Sequence, residues 1–83
     1  MNVVLAKDAH KQYKRLPKQE QTKIKKKLTV ISEDPLAGKK LEGKLKGRRV
    51  IRAWPYRIVY TVNELDERVE VSEIIHRQAA YKN

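Results

Sequence analysis

The chain has 83 residues, a length suited to a single domain (1–83) with one small core. Twenty basic side chains against ten acidic ones leave a formal net charge of +10, which points to a polyanionic partner: nucleic acid, a ribosome or an acidic protein. With no cysteine there is neither a disulfide framework nor a thiolate metal site. No apolar run is long enough to cross a membrane, and the opening residues lack the long apolar segment of a secretion signal, so a cytoplasmic location is expected.

Residues 2–6 form a short apolar run, read as a first strand. A helix opens at Lys7 or Asp8, and Ala9, Tyr13 and Leu16 recur on one face of it. Pro17 ends that helix or starts the next at its first turn. A second helix is predicted from residue 18 to about residue 32, with Gln21, Ile24, Leu28 and Ile31 on one face and Lys23, Lys25, Lys26 and Lys27 on the other. Two amphipathic helices joined at a proline make a helical hairpin suited to covering a sheet. Asp34, lying before Pro35, is pushed out of helical geometry and closes the second helix. Residues 39–47 read as a basic loop with a short helical turn at residues 40–42.

Two strands then meet at a tight turn, Trp54-Pro55. On the second of them Tyr56, Ile58, Tyr60 and Val62 share one face, and Arg57, Val59 and Thr61 share the other. The first set suits a core; the second presents an arginine from the middle of a sheet, where its charge needs an anion or water. A polar turn at residues 63–68 leads to a last strand over residues 69–75, and residues 79–83 form a short tail. The predicted fold is α+β. A small antiparallel sheet of about four strands, mixed at one edge, is covered on one face by an N-terminal helical hairpin, in the order β-α-α-β-β-β.

Charge is uneven along this framework. Residues 39–57 carry eight basic groups and one acidic group, while residues 58–75 carry one basic and five acidic. Catalytic sets built on cysteine, on a GxSxG serine or on metal-ligand spacings are missing. The two histidines, His10 and His76, lie far apart, and Glu64, Asp66, Glu67, Glu70 and Glu73 follow one turn and one strand. No metal and no cofactor is expected. What remains is cationic chemistry, which is sufficient to cleave RNA. The ribose 2′-OH is a nucleophile already beside its phosphate, so the protein has to stabilise charge on the phosphate oxygens and move two protons.

The run YRIVYTV, a polar turn, then VEVSEIIHRQAAY, all after a basic loop containing LEGKLKG, resembles the RelE/ParE toxin superfamily of type II toxin–antitoxin systems, and its RelE-like branch in particular. The resemblance implies a ribosome-dependent mRNA endoribonuclease that cuts by 2′-OH attack in the A site. It implies catalytic roles for Arg57 at the phosphate, Arg77 at the phosphate or leaving group, and Tyr81 at the substrate, with His76 as a relative of a C-terminal acid. RelE-type toxins carry two lysines on the strand before the turn. Here those positions are Arg48 and Val50, so Arg52 or a loop lysine would substitute. Lys39, Lys40, Lys44, Lys46, Arg48 and Arg49 are the expected RNA and ribosome contacts. The implied partners are the ribosome, mRNA and a cognate acidic antitoxin; no membrane is among them.

Other readings of the same residues stand beside these. The protein could be a ParE-type inhibitor of DNA gyrase on the same fold, or a non-catalytic RNA-binding relative. Arg57 could pair structurally with Glu73 on the adjacent strand. His76 could be a plain strand-end histidine, and Tyr81 a tail residue. Tyr13, Tyr56 and Tyr60 are expected to face the core. Trp54 is read as a turn or interface packer ahead of a base-stacking platform.

Overall fold

The computed structural model of the protein describes residues 1–41, 43 and 47–80. Its elements run β1 (Asn2–Leu5), α1 (Lys7–Arg15), α2 (Lys18–Glu33), β2 (Lys39–Lys40), β3 (Arg49–Ala53), β4 (Tyr56–Asn63), β5 (Arg68–His76) and α3 (Arg77–Ala80). They build an α+β fold with one five-stranded sheet in the order β1-β5-β4-β3-β2, with the helices α1 and α2 packed on it. β3, β4 and β5 form the antiparallel meander expected from the three successive strands, and β1 joins its edge in parallel with β5. The sheet is therefore mixed at one edge.

The helical hairpin follows from its periodicity. Ala9, Ile24 and Ile31 are fully buried, with Tyr13, Leu16 and Leu28 packed around them. Pro17 stands just ahead of α2, where its missing N–H costs nothing, and its carbonyl accepts hydrogen bonds from the amides of Glu20 and Gln21. Asp8 in the first turn of α1 and Lys14 and Arg15 in its last turn suit the helix dipole. At the far end of α2, Asp34 is extended (φ −135°), as its place before Pro35 requires. Ser32 then ties the helix to the chain start: its hydroxyl donates to the carbonyl of Met1, and the amino group of Met1 donates to the carbonyl of Ser32.

Beneath the helices Ile58, Tyr60, Val69, Val71 and Ile74 fill the sheet side of the core. Beyond Val71 the β1 side of β5 has no strand partner, because β1 has ended at Leu5. Gln12 of α1 takes over there, its side-chain oxygen accepting from the Ile74 amide at 2.8 Å.

Two features depart from the expected outline. Lys39–Lys40 is a fifth strand, paired with Arg49 and Val50, where a loop with a helical turn at residues 40–42 was expected. Lysines have little β-propensity, so this pairing is imposed from outside the segment. The Tyr60 hydroxyl donates to the carbonyl of Pro35 and accepts from the amide of Gly38, both at 2.8 Å. Arg49 donates from its guanidinium to the carbonyl of Gly38 at 2.8 Å. The chain is thereby held against β3 just before Lys39. The second departure is at the C-terminus, where residues 77–80 are helical and not the end of a strand followed by a tail.

Tyr60 is fully buried, and burial raises its pKa above the ordinary tyrosine value near 10. The folded chain holds the phenolic proton more tightly than the unfolded chain. This contribution to stability is complete below about pH 10 and declines as pH rises through the folded value. Tyr60→Phe, which strands the Pro35 carbonyl and the Gly38 amide, should lower stability at pH 8 by about 1–3 kcal/mol. In urea unfolding, the gap between wild type and Tyr60→Phe should narrow between pH 8 and pH 10.5; a constant gap would contradict the role of this hydroxyl.

Candidate functional site

The β3–β4 ladder sets Arg52 directly opposite Arg57, and Val50 opposite Val59. Ile51 pairs with Ile58 on the opposite face, beneath the helices. Arg52 and Arg57 therefore stand side by side on the sheet face away from the helical layer. Like charges directly opposite one another across strands are destabilising, so a bound anion lowers the energy of the pair.

A third arginine reaches the same place through an irregularity in β5. Opposite β4, Val59 pairs with Glu73 while Tyr60 pairs with Val71, so Ser72 is an extra residue in the ladder. Its hydroxyl donates to the carbonyl of Val59 at 3.2 Å. Before this bulge Val69 and Val71 are buried; after it Ile74 is. The bulge reverses the phase of the strand, turning Ile75 to the open face and carrying Arg77 toward the hairpin. The Arg77 amide donates to the carbonyl of Pro55 at 2.8 Å. Its guanidinium carbon lies 4.7 Å from the centre of the Trp54 ring, within the range of a cation–π contact.

Arg52, Trp54, Pro55, Tyr56, Arg57 and Arg77 together line a cleft of about 210 Å³. The acidic part of the sheet is at the other end of β4, roughly 23 Å away by strand rise. There Arg68 engages Asp66 at 3.3 Å and Glu70 at 3.0 Å. The sheet is thus electrically polarised, with its cationic end at the cleft, an arrangement that draws an anion to that end. Among the described residues, no group of three or more histidine, aspartate or glutamate side chains could hold a metal ion.

The structure brings Arg52, Arg57 and Arg77 together and sets other named residues apart. His76 pairs with Tyr56 on the helical side, their rings 5.3 Å apart and edge-to-face, and its Nδ1 accepts from the Gln78 amide. Arg49 uses its guanidinium on the backbone of the segment before β2. Lys39 and Lys40 are exposed on the edge strand, and Arg48 precedes β3. Arg57 stands opposite Ile75 and Glu73 opposite Val59, so the arginine and the glutamate are diagonal neighbours on one face of the sheet, within reach of each other. Lys44, Lys46 and Tyr81 lie outside the described residues. Tyr56 packs against the core as expected, and it and Trp54 also line the cleft. The signal for both was their position at a turn flanked by Arg52 and Arg57.

A family model, the ParE toxin of the type II toxin-antitoxin system parDE, matches residues 3–81. No curated protein matches the chain. Among solved structures, the RelBE2 toxin–antitoxin complex of Mycobacterium tuberculosis has a chain with 24% identity and a TM-score of 0.84, covering 92% of this chain and 96% of that one; at this identity the likeness is one of fold. The isolated Escherichia coli RelE toxin has 26% identity and a TM-score of 0.78, with 90% and 82% covered. The YoeB–YefM complex of Staphylococcus aureus has 26% identity and a TM-score of 0.76, with 92% and 95% covered.

Proposed function

This chain belongs to the ParE toxin family of type II toxin–antitoxin systems, within the wider RelE/ParE/YoeB superfamily, and from that premise we propose that it is a ribosome-dependent mRNA endoribonuclease whose reactive centre is the arginine cleft. One observation carries this reading: Arg52, Arg57 and Arg77 line one cleft beside two aromatic rings. Guanidinium forks match the non-bridging oxygens of a phosphodiester, and the aromatic rings match its flanking bases.

In this reaction the ribose 2′-oxygen attacks the adjacent phosphorus and the bond from phosphorus to the 5′-oxygen breaks. A 2′,3′-cyclic phosphate and a free 5′-hydroxyl result. One proton leaves the 2′-OH and one is delivered to the departing 5′-oxygen. Arg57, on the central strand of the sheet and flanked by Arg52, stabilises the charge that grows on the phosphate. Arg77 adds a third cation from the other side of the hairpin. Proton transfer falls in this reading to Tyr81 or Arg77, because His76 packs against Tyr56 on the helical side. In this reading Lys39, Lys40, Lys44, Lys46 and Arg48 contact ribosomal RNA.

The partner that restrains such a toxin is an antitoxin. The structural relatives from M. tuberculosis and S. aureus are complexes of this kind, and a net charge of +10 favours an acidic partner segment.

The test is incubation of the purified protein with mRNA on ribosomes holding a defined A-site codon. Cleavage at that codon, absent when the same mRNA is free of ribosomes, is the expected result; intact mRNA would sink this reading. A second reading, poisoning of DNA gyrase, is favoured by the family description that matches the chain, which is that of ParE. It predicts intact mRNA together with loss of supercoiling activity when the protein is added to gyrase.

A further inference from the structure

Trp54 is the single tryptophan of the chain, and it is not buried: 61% of it is exposed at the tip of the β3–β4 hairpin. A tryptophan that served as a packing residue would surrender most of its surface to neighbours. This one lines the cleft and carries the Arg77 guanidinium over its ring at 4.7 Å. With that contact made, most of the indole surface is still open to solvent. The Arg77 amide is held by the Pro55 carbonyl, so the arginine and the ring are tied to one short turn.

We propose that Trp54, backed by Arg77, is a stacking subsite for a nucleobase of single-stranded RNA, next to a phosphate held by Arg52 and Arg57. The proposal rests on the cleft being a phosphate site, as the endoribonuclease reading requires, and adds to it a base-binding position. An aromatic face beside a cationic groove is the general means by which proteins hold single strands without reading their sequence. Every base presents a π-face, and purines present the larger one, so an adenine should be held better than a uracil. The guanidinium over the ring raises the positive charge near the stack and favours the same electron-rich bases.

The experiment uses the whole chain without ribosomes, so that it does not depend on cleavage. Three probes are titrated: fluorescein-labelled oligoadenylate, labelled oligouridylate, and tripolyphosphate as a competitor without bases. Oligoadenylate should quench the Trp54 emission, and tripolyphosphate should not. By anisotropy, Trp54→Ala should bind oligoadenylate about tenfold more weakly, and Trp54→Phe should stay within about threefold of wild type. Tripolyphosphate should still bind all three proteins, with any loss in Trp54→Ala smaller than its loss for oligoadenylate, and equal urea midpoints report that the variants are folded. Equal oligoadenylate affinity in wild type and Trp54→Ala, with tripolyphosphate still bound and weakened by Arg57→Ala, would overturn the stacking subsite alone. Tripolyphosphate binding that is absent from wild type or indifferent to Arg57→Ala would overturn the phosphate site, and the subsite with it.

Discussion

Arg57→Ala should slow mRNA cleavage on programmed ribosomes by about 10²–10³-fold, the loss found when one preorganised donor to a developing oxyanion is removed. The physical basis is the cross-strand pair. Arg57 is the second residue of an eight-residue strand that is central in the sheet, opposite Arg52, and the sheet fixes its backbone within the β3–β4–β5 meander. A guanidinium so placed offers a phosphate two parallel donors that a lysine cannot supply. Arg57→Lys keeps the charge and loses the fork, so it should retain more activity than the alanine variant while remaining at least about tenfold below wild type. Stability should change by about 1 kcal/mol or less, since no core atom is removed. Arg77→Ala should fall in the same range for cleavage. If both arginines grip one phosphate, the double variant should lose less than the product of the two single losses. Single-turnover cleavage rates, with urea unfolding alongside, provide the comparison. An Arg57→Ala protein that cleaves within about threefold of wild type would remove this residue from the reaction.

Gly38→Ala should destabilise the fold by about 3 kcal/mol, although it adds one methyl group. A Cβ at this position would lie 2.8 Å from Cε1 and 2.9 Å from Cζ of Tyr60 and would collide with its hydroxyl oxygen. Tyr60 has nowhere to go. It is fully buried, and its hydroxyl bridges the Pro35 carbonyl and the Gly38 amide. Relief requires moving the backbone at Gly38, which breaks the bridge and frees the segment that Arg49 also holds. Overpacking and loss of buried hydrogen bonds are then combined, each worth about 1–3 kcal/mol. Denaturant midpoints of Gly38→Ala, Tyr60→Phe and the double variant measure this directly. The double variant should be more stable than the sum of the single effects predicts, because deleting the hydroxyl removes the worst collision. A Gly38→Ala protein within about 0.5 kcal/mol of wild type would show that the glycine is not required by close approach.

The two predictions draw on different depths of the same hairpin. Its outline was legible in residues 48–62, because period-two alternation shows directly which side chains can be buried. The helical cover was legible for the same reason: Ala9, Tyr13 and Leu16, then Ile24, Leu28 and Ile31, repeat at helical spacing and pack on the core as expected. Arg52 could be named as a candidate from its place near Arg57, but that the two are ladder partners depends on register. The strand at Lys39–Lys40 could not be read from its own residues, because what places it is a tyrosine and an arginine distant in the chain. Arg49 shows the same limit, since no local feature separates it from its basic neighbours.

By itself the sequence determined the meander, the covering helices and the excess of positive charge before Arg57. Each depends on residue type and spacing along a single segment. The tertiary structure alone decided how the last strand meets the cleft. Continued alternation from Val69 and Val71 would have sent Glu73 and Ile75 into the core and Ile74 and His76 out. The extra residue at Ser72 reverses this, burying Ile74, placing His76 against Tyr56 on the helical side, and delivering Arg77 to Trp54 and the cleft. A bulge answers to the pairing of two strands and to the packing on both faces, and that information is not present in either strand alone.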